Sequence, residues 1–343
     1  MAFLGKRKKN VEVVEEKGDA FDRIFEDFDN RMRQEREAAL KEVQNNFPSY
    51  DMNVFNNYDY AVDNTDTYRT ERLTPGVVAT PSPMPVQSVN NATGAVSFGT
   101  SSVIGKREYQ QDALMVAQGN PPNDKKSFAV LCDGMGGMNG GEKASALCVE
   151  KMINAFNMGV DYIPDFYRRN IIEIDDAVSL LTDENGDYMG AGSTLISVII
   201  DDYKLYWGSV GDSRIYVIRD QEMVVINAEH NYYVELLEKV RAGEISQEEA
   251  DKHPSREALT SYMGIGGITL MDVSENNIQL LKDDYVVLCS DGLYRALSDN
   301  EIFNIIKKSN GNAQQAAKSL TDYTMGKNIP FQDNTSVIVI KIN

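Results

Sequence analysis

From about residue 98 to the C-terminus the chain alternates β-branched apolar runs with segments whose apolar positions recur at helical spacing. The runs predict strands over Ala95–Ser102, Asp112–Ala117, Ser127–Cys132, Ser193–Asp201, Lys204–Val210, Ser213–Arg219, Glu222–Asn227, Asp284–Cys289 and Thr335–Ile342. Helices are predicted over Gly141–Phe156, Pro164–Leu181, Tyr233–Ala242, Ser246–Lys252, Ser298–Lys308 and Asn312–Met325. Short polar turns such as Arg219-Asp220-Gln221 join neighbouring strands, which predicts hairpins and antiparallel sheet rather than a doubly wound parallel one. No internal repeat is visible.

The first 97 residues follow other rules. Residues 1–47 are densely charged and carry Phe21, Ile24, Phe25, Phe28 and Met32 on one helical stripe, an amphipathic helix that either lies on its own domain or docks on a partner. Residues 48–97 lack periodicity and hold Pro75, Pro81, Pro83 and Pro85, the composition of an extended or disordered linker. Thr80 before Pro81 is a candidate phosphorylation site there, although solvated linker is the simpler reading. The expected organisation is therefore helical extension (1–47), linker (48–97) and one large domain (98–343).

Charge narrows the partners. With 34 basic and 52 acidic residues the net charge is -18, and such a surface is repelled by a nucleic-acid backbone. Three cysteines, Cys132, Cys148 and Cys289, make no CxxC and leave an odd thiol, which argues against a disulfide scaffold or a structural zinc site and for a reducing cytoplasm. No apolar stretch reaches the ~18 residues a membrane span requires, and no signal peptide is visible.

The chemistry gathers at strand ends. Asp133 follows one apolar run, Asp291 follows another, and Asp333 precedes a third. Antiparallel neighbours bring the end of one strand to the start of the next, so these carboxylates are expected at one sheet edge, where a cation must sit between them. Asp133 and Asp291 are each followed by glycine, which turns the backbone sharply and presents a carbonyl oxygen beside the carboxylate. All-oxygen ligation suits magnesium or manganese. Taken singly, each Asp-Gly reads first as a turn.

The succession changes that reading: Gly105-Lys106-Arg107-Glu108 to Asp112; Asp133-Gly134-Met135-Gly136-Gly137 with Gly141-Glu142; Gly192-Ser193-Thr194; Gly211-Asp212-Ser213-Arg214; Ser290-Asp291-Gly292; Asp333-Asn334. In this order the motifs resemble the metal-dependent protein phosphatases of type 2C, the PPM family, over about 98–343. Met135, and the stretch from His230 through Glu235-Leu236-Leu237 to His253-Pro254-Ser255-Arg256, resemble the flap-bearing bacterial branch. The resemblance implies an α+β fold, a sandwich of two antiparallel β-sheets flanked by helices, and hydrolysis of phosphoserine or phosphothreonine in proteins, opposite a serine/threonine kinase. It implies two and by some patterns three Mn2+ or Mg2+ ions: Asp133 bridging two, Gly134 offering its carbonyl, Asp291 and Asp333 completing the shell of the first metal, and Asp112 orienting the waters around them. A water bridging the two ions would then be the nucleophile. Arg107 matches the arginine that grips the substrate phosphate, a task suited to the guanidinium fork.

Three positions depart from the pattern. Gln111 stands where many members have glutamate, which removes a negative charge near the second metal. Met135 replaces a histidine that other members use as general acid, so a serine leaving group would be protonated by water or not at all. Asp187 lies two residues further from Gly192-Ser193-Thr194 than a third-metal aspartate should. With Asn185 and Asp183 it has calcium-loop spacing at its start only, and otherwise reads as a solvated loop. A second class of function therefore stands beside the enzyme, a phosphoprotein-binding pseudophosphatase. His230 and His253 are read as flap packing, the strand cysteines as buried and inert, Gly211-Asp212-Ser213-Arg214 as a turn with an Asp–Arg pair, and Gly264-Ile265-Gly266-Gly267 as too weak for a nucleotide loop.

Overall fold

A computed structural model describes residues 95–119, 125–136 and 140–343. The amphipathic stripe and nearly all of the Pro-rich stretch lie outside the described residues. In chain order the elements are β1 (Val96–Val103), β2 (Asp112–Gln118), β3 (Lys126–Met135), α1 (Gly140–Met158), α2 (Ile163–Ser179), β4 (Gly192–Ser193), β5 (Leu195–Asp201), β6 (Lys204–Val210), β7 (Arg214–Arg219) and β8 (Glu222–Val225). There follow α3 (Tyr232–Arg241), α4 (Gln247–Asp251), β9 (Asp272–Val273), β10 (Ile278–Gln279), β11 (Tyr285–Cys289), α5 (Asp291–Tyr294), α6 (Asp299–Lys308), α7 (Ala313–Gly326) and β12 (Thr335–Ile342). One sheet runs β1-β12-β11-β7-β8 and the other β10-β6-β5-β3-β2, with β4 on β3 and β9 on β6. Every pairing is antiparallel.

The strands are apolar at consecutive positions because both faces of each sheet are covered. Ala129, Leu131, Ile196 and Val198 of one sheet meet Ile215, Val217, Val286, Leu288, Ile338 and Ile340 of the other, and this inter-sheet layer is buried throughout. The alternate residues face outward under helices. Phe128, Val130 and Cys132 lie beneath α1 and α2, where the Phe128 and Phe156 rings stack at 4.7 Å. Tyr216, Val287, Cys289 and Val337 lie beneath Ile302, Ile306, Ala316 and Leu320 of α6 and α7. The result is four layers, helices, sheet, sheet, helices, the sandwich the sequence led us to expect. Ser246 and Ser298 start α4 and α6 with capping boxes closed by Glu249 and Glu301.

The differences from the expected elements have local causes. The run Ser193–Asp201 breaks at Thr194, whose N–H and hydroxyl are both committed to Asp133. The run Glu222–Asn227 stops at Val225 because the Asn227 carboxamide takes over the ladder and accepts the Ile215 N–H at 2.7 Å. β1 begins at Val96, two residues before 98, opposite Ile342. Among the described residues no helix is long and apolar enough to cross a membrane.

Candidate active site

Four aspartates gather where strand ends of the two sheets meet. Asp112 opens β2 directly opposite Asp133 near the end of β3. Asp291 follows β11, Asp333 precedes β12, and those two strands pair. A hydrogen bond closes the gap between the sheets, with the Ser290 hydroxyl donating to Asp112 Oδ2 at 2.9 Å. Glycine permits the crowding. A Cβ on Gly134 would lie 2.0 Å from the carbonyl oxygen of Gly141 at the start of α1, and one on Gly292 would lie 2.0 Å from that of Asn334. Both contacts are with backbone and cannot give way.

Around the aspartates stands a frame of small polar residues. Thr194 Oγ1 accepts the Asp133 N–H (3.0 Å), and the Asp133 carbonyl accepts from both the Thr194 N–H (2.8 Å) and the Ser193 hydroxyl (3.0 Å). Asn334 donates to the carbonyls of Ile104 and Tyr109 and accepts from the Gln111 N–H, tying the Arg107 loop to the head of β12. Ser290 also accepts from the Ser336 N–H. Sequence reading passed over Ser193, Thr194, Ser290, Asn334 and Ser336 as supports. Their signal was there: each is a small polar residue fixed inside or beside an apolar run.

The electrostatics are unfavourable as they stand. Burial pushes Asp112 up to about 7; the Ser336 and Ser290 donors oppose the rise, and the charges of Asp291 and Asp333 add to it. Burial, then the charges of Asp112, Asp291, Asp333 and Asp212, push Asp133 well above the usual carboxylate range. Asp291 is raised by burial against the pull of Arg295. Arg107 pairs with Asp333 Oδ2 at 2.5 Å and Arg295 with Asp291 Oδ2 at 3.0 Å. With those carboxylates turned to arginines, no three His, Cys, Asp or Glu side chains among the described residues are posed to close on one ion. Two atoms nevertheless ask for a cation: Oδ1 of Asp112 and Oδ1 of Asp291 are buried without any hydrogen-bond partner. Each belongs to a carboxylate whose other oxygen is already held, and such orphans demand explanation.

Other candidate residues lie elsewhere or act differently. Gln111 donates to the Gly136 carbonyl at 3.2 Å, and Met135 lies in β3 opposite Gly192. Asp187 is exposed, its N–H bonded to Asp183 Oδ1 in a polar turn. His230 is buried and accepts the Gly211 N–H, while His253 packs on Tyr232 and accepts from Ser255. Cys132 and Cys289 are buried, and burial raises both thiols, so they are poor nucleophiles. The expected pairing within Gly211-Asp212-Ser213-Arg214 needs correction. Asp212 faces Arg295 at 3.7 Å, whereas Arg214 binds Glu229 at 2.6 Å and stacks on Tyr294.

Comparison with known proteins agrees with this architecture. The model of the family described as Protein phosphatase 2C matches residues 100–325. The chain belongs to that family and is a protein phosphatase. It is similar to the serine/threonine phosphatase stp of Listeria welshimeri, 27% identical over 248 residues that cover 69% of this chain and 95% of that one. Protein phosphatase PhpP of Streptococcus pneumoniae is 28% identical over 221 residues, 64% of this chain and 87% of the relative. The solved serine/threonine phosphatase Stp1 of Staphylococcus aureus superposes with a TM-score of 0.62 at 27% identity, covering 72% of this chain and 95% of Stp1.

Proposed function

We propose that the chain hydrolyses phosphoserine and phosphothreonine monoesters in proteins, with Mn2+ or Mg2+ held by Asp133, the Gly134 carbonyl, Asp291 and Asp333 and backed by Asp112. Its counterpart is a serine/threonine kinase. The observation that carries this reading is the pair of orphaned buried oxygens on Asp112 and Asp291, each aimed by a partner on its second oxygen. A scaffold that only bound phosphoproteins would gain nothing from holding such groups together. When bound, the cations supply the positive charge that polarises the ester and makes water a nucleophile at neutral pH.

The chain's own residues do the rest. Ser290 fixes the Asp112 carboxylate, and the Ser193-Thr194 corner fixes the Asp133 backbone. Arg107 brings five N–H donors to the Asp333 end of the centre, where its fork meets two oxygens of the substrate phosphate. Met135 has no proton to give where other members of the family use a histidine, and the leaving group takes its proton from water. An aryl phosphate, whose leaving group needs no proton, is therefore expected to turn over faster than a phosphoserine peptide. A comparison of kcat on the two substrates checks this.

The decisive assay is phosphate release from a phosphothreonine peptide with manganese, with magnesium and with chelator. Metal-dependent release abolished by chelator is expected; release indifferent to chelator, or none with either metal from folded protein, overturns the reading. Ser290→Ala removes the donor to Asp112 and the acceptor for Ser336, and a support of this kind is worth about 10–100-fold in metal affinity or activity. Metal titration and kcat/KM of that variant measure the loss.

A further inference from the structure

The residues from Glu229 to Leu259, which contain α3 and α4, form a thin lobe. It closes on itself, with the Tyr232 N–H bonded to the Ala258 carbonyl and the Tyr233 N–H to that of Arg256, both at 2.9 Å. Within its two helices only Leu236 and Ala250 are buried. A lobe with so little apolar anchorage depends on polar joints for its seating. Two of them are ion pairs with the body: Glu229 with Arg214, and Glu257 with Arg295 at 3.1 Å.

Arg295 is the unusual member. It caps the C-terminus of α5, four residues after Asp291, and its guanidinium reaches three acids at once: Asp291 Oδ2 at 3.0 Å, Asp212 Oδ2 at 3.7 Å, and Glu257 of the lobe. Asp291 and Asp212 are almost wholly buried, Arg295 is 40% exposed, and Glu257 is 53% exposed. Asp212, Glu257 and Arg295 line one cleft together with Glu229 and Tyr294, and Arg295 reaches from it to Asp291. One cation is thus divided between the candidate metal ligands and the lobe. A divalent ion on Asp291 neutralises the charge that attracts Arg295 and repels its guanidinium, which leaves Glu257 as the stronger claimant.

We propose that Arg295 is a positioning residue joining the cation site to the lobe: it serves as counter-cation to Asp291 and Asp212, competes with the divalent ion for Asp291, and passes to Glu257 as the ion binds. Loading the site then seats the lobe, and by linkage a seated lobe favours loading. The inference rests on the metal-binding reading of the site given above. It differs from a plain structural role in sign. Losing a structural prop weakens metal binding, whereas losing a competing cation strengthens it.

The test is calorimetric titration of Mn2+ into the full chain, with hydrogen exchange of residues 232–258 as a second readout. Arg295→Gln is expected to bind Mn2+ on the order of tenfold tighter, since one positive charge is removed within a few ångströms of the ligands. Arg295→Lys keeps the charge, but a single ammonium cannot span Asp291 and Glu257 as the fork does, so it should bind Mn2+ no more tightly than the wild type. Glu257→Gln, at a half-exposed position, leaves Arg295 wholly to the aspartates and should bind several-fold more weakly, an effect expected to vanish in the double variant with Arg295→Gln. Mn2+ is expected to slow exchange in the wild-type lobe and not in Arg295→Gln. Weaker or unchanged Mn2+ binding by Arg295→Gln, or equal protection of its lobe, overturns the proposal. A wild type that binds no Mn2+ overturns instead the reading of the site on which it rests.

Discussion

Asparagine in place of Asp133 is expected to lower kcat/KM on a phosphothreonine peptide by about three orders of magnitude, roughly 4 kcal/mol of barrier, and at the same time to make the metal-free protein harder to melt. The two effects have one origin. Asp133 is raised by burial and faces the charges of Asp112, Asp291, Asp333 and Asp212, so without a cation its own charge works against the fold. The amide is nearly isosteric, and the bonds of the Asp133 backbone to Thr194 and Ser193 do not involve the side chain. Removing a group that must either hold its charge in such a cluster or take up a proton to fold relieves on the order of 1 kcal/mol or more, a few degrees in Tm for a domain of this size. With manganese the order inverts, because a ligand that binds only the folded state raises the wild-type Tm by mass action and finds a defective site in the variant. Melting curves with chelator and with manganese, beside the peptide assay, check all three statements. Full activity removes Asp133 from the ligand set; lost activity with a lower metal-free Tm reassigns it to structure.

Much of this arrangement was legible in the sequence because it rests on local rules. Strands such as Phe128–Cys132 and Val337–Ile340 are continuous apolar runs, and a strand buried on both faces has no other way to read. Asp133 and Asp291 declared themselves by standing at the ends of such runs with glycine behind them, and the pairing of Asp112 with Asp133 follows from antiparallel register. What stayed hidden depends on tertiary partners. β9 and β10 have two residues each and exist only as additions to β6, and two residues carry no periodicity. The Ser290–Asp112 bond joins residues 178 apart in the chain. Arg295 looked like an ordinary residue after Ser-Asp-Gly, because the acids it bridges come from three separate segments. The Asp212–Arg214 pair failed for the same reason: sequence proximity suggested a partner that the turn at Gly211 directs elsewhere.

Asp175→Ala is expected to be the most destabilising substitution distant from the carboxylate centre, and to lower activity although Asp175 sits on a helix remote in sequence from every candidate ligand. The glycine run Gly264-Ile265-Gly266-Gly267 is too weak a motif for a nucleotide, and its N–H groups in fact serve an anion of the chain itself. Asp175 is fully buried and accepts from the N–H groups of Gly264 (2.7 Å), Gly266 (3.3 Å) and Ile268 (3.0 Å). Gly264, Gly266 and Gly267 all have positive φ, the conformation that turns successive N–H groups inward. Alanine leaves up to three donors without an acceptor, at about 1–3 kcal/mol for each that stays buried, so a total loss of roughly 3–5 kcal/mol is expected. Asparagine keeps one acceptor oxygen but brings an amide N–H against a donor, so it should rescue only part of the loss. The path to the active site is short. Met263, next to Gly264, exchanges backbone hydrogen bonds with Ser193, and the Ser193 hydroxyl holds the Asp133 carbonyl. Urea unfolding of the Ala and Asn variants measures the first effect, and kcat under conditions where each variant is fully folded measures the second. A folded Ala variant with wild-type kcat would confine the Asp175 cradle to stability alone, because the only route from α2 to Asp133 traced above runs through the loop it anchors.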